Sequence, residues 1–217
     1  MRKVLSLLPI VLAVTAAGCV FSPGIRGSGN VVSEQRTVNG FTAVSLEGSG
    51  RLTIAQGETE SLAITADDNL MPYLTSEIKD GQLTLGTKNN ENIDPSKDVV
   101  YKLTMKNVSA IGLAGSGSVD AKGIHAERLK IVVAGSGGMS VAGTAAQQEI
   151  TLAGSGEFRG DDLKSKVVTI QIAGSGGAAL NVSEKLEASI AGSGGITYRG
   201  DAAVTRHILG SGTIEKR

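Results

Sequence analysis

Few residues in this chain could do chemistry, and most of them recur. Serine lies between two glycines eight times, in triplets beginning at Gly27, Gly48, Gly115, Gly135, Gly154, Gly174, Gly192 and Gly210. A serine in such a cradle could be a nucleophile, but that chemistry needs one activated hydroxyl beside one base. Eight copies at one position of a repeat point to structure instead. Only two histidines occur, His125 and His207, and neither has a second His or a Cys nearby in sequence. Neither completes a zinc or triad pattern, so both are expected at the surface. A polysaccharide lyase would need clustered acidic calcium ligands and a basic residue on one strand face. The acidic doublets are Asp67-Asp68 and Asp161-Asp162, and the first opens a compact loop, where a turn or capping role is expected. The Gly-Gly-x-Gly-x-Asp repeat of calcium-binding β-rolls is not matched, because apolar residues follow the triplets. Nothing calls for a metal or a cofactor.

Binding without catalysis leaves other candidates. Aromatic platforms suit sugars, and the chain has three Phe, three Tyr and no Trp. Phe158 and Tyr198 fall at or near repeat positions that read as core, leaving Tyr73 and Tyr101 as candidates for an exposed contact. Arg159-Gly160-Asp161 and Arg199-Gly200-Asp201 both spell the integrin-recognition tripeptide. They share one repeat position, so a repeated strand-to-turn junction is the expected reading, with Gly at the corner and Asp capping the turn. With 21 Lys+Arg against 21 Asp+Glu the chain lacks the basic excess of a nucleic-acid footprint, and no nucleic-acid partner is expected.

Cys19 is the only cysteine. It follows a basic start (Arg2, Lys3), an apolar run from Val4 to Thr15 and the small residues Ala16-Ala17-Gly18, in the order of a bacterial lipoprotein signal. Ala16 departs from the Leu most common there. Residues 1–18 thus read as a cleaved signal peptide and Cys19 as the lipidated residue that ties the chain to a membrane. Cleavage leaves 19 basic against 21 acidic residues. Val20 in place of Asp favours the outer membrane under the sorting rules of double-membrane bacteria. The expected location is the cell envelope.

The elements that must position these residues are set by the repeat. Successive triplets lie 21, 67, 20, 19, 20, 18 and 18 residues apart. Apolar residues flank them in register, two before (Leu113, Val133, Leu152, Ile172) and two after (Val119, Met139, Phe158, Ile196). Alternating apolar positions mean strands with one buried face. Strand, glycine corner and strand at a period near 20 describe an all-β parallel β-helix of single-stranded coils, each pairing with the next about 4.8 Å away. The structural corners would be Gly48-Ser49-Gly50, Gly115-Ser116-Gly117, Gly135-Ser136-Gly137, Gly154-Ser155-Gly156, Gly174-Ser175-Gly176 and Gly192-Ser193-Gly194, their serine hydroxyls forming a ladder. Glycine suits a corner that needs positive φ and close stacking. Arg206 at a ladder position and the final Glu215-Lys216-Arg217 read as a polar cap over a sheet edge.

Residues 19–39 are expected to be a tether and a possible first coil, and 40–217 the β-helix. Within it, 56–105 is irregular and 106–217 regular. The irregular part reads as a strand at Leu62–Thr65, a helical turn or compact loop at Asn69–Leu74, a hairpin around Asp80-Gly81, a polar mobile loop from Asn89 to Asp98 and a strand at Val99–Met105. It should cover the N-terminal end or one flank of the solenoid.

Phe41-x-x-Val44-x-Leu46-x-Gly48-Ser49-Gly50, then Leu62-x-Ile64-x-Ala66-Asp67-Asp68-Asn69-Leu70-x-Pro72-Tyr73, then Lys79-Asp80-Gly81-x-Leu83 and the Gly-Ser-Gly coils together resemble the auto-transporter adhesin head GIN domain family. The likeness covers roughly 40–212. The family's namesake Gly-Ile-Asn is absent, the nearest tripeptide being Gly123-Ile124-His125. The resemblance implies a right-handed β-helix shaped like a pectin lyase without its catalytic residues, an exported and lipid-anchored protein, and a role in surface adhesion. The expected function is therefore a non-enzymatic envelope scaffold with an envelope protein or polysaccharide partner, and homo-oligomers could form through weakly charged coil faces. The alternatives are a polysaccharide-active enzyme on the same shape and an accessory subunit of an envelope complex.

Overall fold

The computed structural model describes residues 24–217. The expected signal peptide, Cys19 and the first residues of the expected tether lie outside them. The strands are β1 (Ile25–Arg26), β2 (Val31–Arg36), β3 (Ala43–Gly48), β4 (Arg51–Gln56), β5 (Ser61–Asp67), β6 (Leu74–Lys79), β7 (Gln82–Thr87), β8 (Ile93–Asp94) and β9 (Val100–Met105). They continue with β10 (Ala110–Gly115), β11 (Ser118–Gly135), β12 (Gly138–Gly154), β13 (Glu157–Gly174), β14 (Gly177–Gly192), β15 (Gly195–Arg199), β16 (Ala203–Gly210) and β17 (Thr213–Lys216). No α-helix occurs among the described residues, and none of their helical turns is long and apolar enough to cross a membrane.

The fold is a β-solenoid of about five turns. β3, β10 and the later parts of β11, β12, β13, β14 and then β16 pair in parallel, so that seven glycines from Gly48 to Gly210 stack in one row. Inside, Ile111, Ile131, Ile150 and Ile170 form one ladder and Leu113, Val133, Leu152 and Ile172 the next, all buried. Fully burying such a side chain is worth roughly 1.5–3 kcal/mol, and this ladder drives the coils together. Phe158 and Tyr198 are core, as their repeat positions predict.

At the corner, Ser136, Ser155 and Ser175 donate their backbone N–H to the glycine carbonyl of the previous coil at 3.1, 2.9 and 2.9 Å. The ladder is made of backbone. Among the described residues the corner serine hydroxyls make no hydrogen bond and are exposed, which corrects the expected hydroxyl ladder. The glycines are required by geometry: Gly135 has φ +114°, and a Cβ there would lie 2.5 Å from the Gly115 carbonyl oxygen. Successive corners approach too closely for any side chain.

Stack order departs from chain order at the N-terminal end. β7 pairs in parallel with β3, and β9 with β4, although both follow them in sequence. The long 67-residue interval therefore folds back beneath the first coil and supplies a coil of its own. β5 lies antiparallel on β9, β2 on β5, and β6 on β7, so this end closes in antiparallel pairs. The β6–β7 turn has φ +51° at Asp80 and +77° at Gly81, as an Asp-Gly hairpin demands.

Two expectations fail here. The segment before residue 40 is not a coil: β1 pairs with β8, and Gly27-Ser28-Gly29 is clamped by the acidic doublet. Buried Asp67 accepts hydrogen bonds from Gly29 N (2.8 Å), Ser96 N (2.8 Å) and Ser96 Oγ (2.6 Å). Asp68 accepts from Ser28 Oγ (2.6 Å) and Asn30 Nδ2 (2.8 Å). The stretch from Asn89 to Asp98, expected as a free loop, is tied down by the same contacts through Ser96 and by the pairing of Ile93 and Asp94 with β1. At the other end Arg206 does stand on the ladder above Ala188, but Ile208 and Leu209 beside it are 39% and 78% exposed.

Candidate functional site

Two surfaces stand out from the regular frame. The first is an uncharged strip along the outer side of the strands β10 to β16. One row reads Ala114, Ala134, Ala153, Ala173, Ala191 and Leu209; the next reads Gly112, Val132, Thr151, Gln171, Ser189 and His207. In-register stacking places identical positions one strand spacing apart, so the alanines from Ala114 to Ala191 form a continuous uncharged track with the exposed corner serines along its edge. Two shallow grooves of about 310 and 280 Å³ lie on it. Charge begins one row further out, where Lys130 and Glu149 pair at 3.8 Å.

The second is a cavity of about 240 Å³ between the first coil and the returning segment. Glu47 and Ser49 come from the end of β3 and its corner, Leu74 from the start of β6, Thr87 from the end of β7, Glu91 from the connection to β8, and Tyr101 from β9. The reversal of stack order brings these together.

Tyr101 corrects an expectation. It is only 2% exposed, because it faces inward beside Leu52 where β9 stacks on β4. Burial pushes its hydroxyl up to about 12, against the opposing pull of the Arg36 charge. It is a cavity wall, not an exposed platform. Tyr73 is half-buried on a 3-10 turn, Met71–Tyr73, and does not line the same cavity. That turn is held by Arg36, which donates to the Leu74 and Met71 carbonyls at 2.7 and 3.2 Å.

The two Arg-Gly-Asp tripeptides lie in the coil frame and are engaged with it. Arg199 pairs with Asp161 at 2.8 Å, Arg159 with Glu157 at 2.7 Å and Lys216 with Asp201 at 2.8 Å. Gly160 leaves room for the Phe158 ring, which a Cβ would meet at 2.6 Å. An integrin ligand needs its Arg and Asp free on a mobile loop, and here both are committed within β13 and around β15.

The histidines are exposed and separate in the coil frame, His125 with Thr144 Oγ1 at 2.9 Å and His207 on the strip. Among the described residues no group of three or more His, Cys, Asp or Glu could hold a metal ion. Inside the solenoid one buried polar atom stands without a partner: Gln148 Oε1, whose amide nitrogen donates to Ser165 Oγ. No residue type or spacing in the sequence marks the cavity, because its wall is gathered from several short stretches scattered between Glu47 and Tyr101.

A profile for the family described as putative auto-transporter adhesin, head GIN domain, matches residues 40–202. Among solved structures, a putative lipid binding protein from Parabacteroides distasonis is 26% identical, with 90% of this chain and 100% of that chain covered and a TM-score of 0.60. A putative adhesin from Bacteroides fragilis is 22% identical over 89% of this chain and 100% of that one, with a TM-score of 0.74. A putative adhesin from Parabacteroides merdae is 23% identical over 90% and 100%, at 0.53. The last two likenesses are likenesses of fold. No curated protein matches the chain.

Proposed function

The chain belongs to the putative auto-transporter adhesin, head GIN domain family, and from that premise we propose that it is a non-catalytic binding scaffold of the bacterial cell envelope, anchored through a lipid on Cys19. The observation that carries this reading is the uncharged strip. Five successive coils present alanine in register, from Ala114 to Ala191, which suits an extended partner laid along the solenoid axis. An envelope polysaccharide or an extended envelope protein fits such a track. Ile25 follows Cys19 by six residues, a reach of at most about 20 Å, so the anchor holds the N-terminal end of the solenoid near the membrane and leaves the strip running away from it.

Ala153→Arg and Ala191→Arg place bulky charges on the strip without touching the core. Capture of envelope polysaccharides and whole cells by the immobilised protein should be lost in the double variant, and equal capture by variant and wild type would sink the reading. The same polysaccharides should return without new unsaturated ends; their appearance would favour a lyase. Lipid vesicles belong in the panel, since lipid is the ligand class named for the Parabacteroides distasonis relative. Incorporation of labelled palmitate, lost in Cys19→Ala together with the membrane fraction, tests the anchor.

A further inference from the structure

The cavity under the first coil has chemistry that the strip lacks. Tyr101 is all but buried, and among the described residues no group hydrogen-bonds its hydroxyl. That hydroxyl is not sealed off from solvent, since the buried side-chain polar atom left without a partner among the described residues is Gln148 Oε1, so the hydroxyl is open to a partner from outside the protein. The cavity that Tyr101 helps to wall is where that partner can be placed.

Around the same space stand two carboxylates, Glu47 and Glu91, two hydroxyls, Ser49 and Thr87, and the apolar side of Leu74. Neither carboxylate has an ion pair among the described residues. A lining that combines acceptors and hydroxyls with apolar side chains matches a pyranose, whose rim carries hydroxyls and whose ring face carries C–H groups. Two uncompensated carboxylates repel an acidic sugar. At about 240 Å³ the space falls below the roughly 300–1,000 Å³ of a site for a drug-sized ligand, so it holds one ring, not a chain.

We propose that this cavity binds a single uncharged sugar ring, with the Tyr101 hydroxyl and the Glu47 and Glu91 carboxylates hydrogen-bonding its hydroxyls and Leu74 against its apolar face. Glu47 stands in the same row as Ala114, one coil away, so a glycan whose end is seated in the cavity continues onto the strip. The inference deepens the scaffold reading and rests on it only for the source of the sugar.

The test is a titration of the full chain with methyl glycosides of neutral hexoses, with a methyl uronide and with ethylamine, followed by calorimetry and saturation-transfer NMR. A neutral hexoside should bind saturably and the uronide at least tenfold more weakly. Tyr101→Phe should weaken the hexoside about five- to tenfold, the equivalent of one lost hydrogen bond. It should melt no lower than wild type, since the deleted hydroxyl has no protein partner. Glu47→Gln with Glu91→Gln should raise affinity for the uronide. The proposal is overturned if no hexoside saturates, if the uronide binds as well, if ethylamine binds more tightly, or if folded Tyr101→Phe is unchanged. Hexoside binding that fails while Ala153→Arg and Ala191→Arg still abolish polymer capture removes the cavity and keeps the strip. Hexoside binding alongside undiminished capture by that double variant removes the strip and keeps the cavity.

Discussion

The corner glycines can be tested one against another, because the fold supplies its own control. Gly154 has φ +113°, and a Cβ there would sit 2.5 Å from the Gly135 carbonyl oxygen. Gly48 has φ +100°, but a Cβ on it would meet nothing within 4 Å. Gly48→Ala therefore incurs backbone strain alone, about 1–3 kcal/mol for a sparsely populated conformation. Gly154→Ala adds a collision with backbone that cannot rotate away, worth another ~1–3 kcal/mol by analogy with overpacked cores, for a total near 4 kcal/mol. Against a domain stability of roughly 5–15 kcal/mol that is a severe loss. With a urea m-value of about 2–3 kcal/mol per molar, the unfolding midpoint should fall by roughly 1.3–2 M for Gly154→Ala and by about half of that for Gly48→Ala. Ser155→Ala removes an exposed hydroxyl and should stay within about 0.5 kcal/mol of wild type. Equal midpoints for the two glycine variants would refute close stacking as the reason for the glycine row. A Ser155→Ala loss as large as that of Gly154→Ala would restore the serine hydroxyl ladder.

Replacing Gln148 and Ser165 together by Leu and Ala removes a buried polar pair with one unpartnered oxygen, and should raise stability by ~1–3 kcal/mol in urea unfolding. Tyr101 is held neutral by burial, with its hydroxyl pushed up to about 12. Its contribution is full below about pH 10, the ordinary tyrosine value, and is lost as pH climbs through about 12; ultraviolet titration should show one tyrosine ionising late, and Tyr101→Phe should abolish that step. Asp67 is held below the usual carboxylate range, first by the Ser96 hydroxyl. Its stabilisation is therefore present above the ordinary carboxylate pKa and is lost as pH falls through the depressed value. Asp67→Asn should lower the melting temperature at pH 7 and flatten that acid limb, and Ser96→Ala should shift the limb to higher pH. Arg199→Ala breaks an exposed pair with Asp161 and should cost only about 0.2–1 kcal/mol, while Asp161→Glu with Asp201→Glu should leave attachment to animal cells unchanged.

The regular coils were legible from residues because their information is local and repeated. Each apolar ladder position announces itself at a period near 20, and Gly-Ser-Gly marks each corner. The hairpin at Asp80-Gly81 and the turn ending at Tyr73 were legible for the same reason. The first triplet misled because a local motif does not carry its partner: Gly27-Ser28-Gly29 has the letters of a corner, but Asp67 and Asp68, some 40 residues away, hold it. Tyr101 misled in the same way. Its segment looks irregular along the chain, yet β9 stacks on β4 in unbroken parallel register and takes the tyrosine inside.

That reversal of stack order also says where chemistry could arise in such a fold. A perfect solenoid repeats every residue environment, so no position can differ much from its neighbours one coil away, and a row of identical serines cannot hold one special hydroxyl. A distinct environment needs a place where the repeat fails. Here the failure is the insertion of a later coil beneath an earlier one, which sets Glu47 and Ser49 of the first corner against Thr87, Glu91 and Tyr101 of the returning segment. In the regular coils the position of Glu47 is taken by Ala114, Ala134 and Ala153. A carboxylate appears in that row where the cavity opens, and the row becomes a bare track where it does not. The two surfaces are thus consequences of one topology, a repeat that supplies length and a break in it that supplies a pocket.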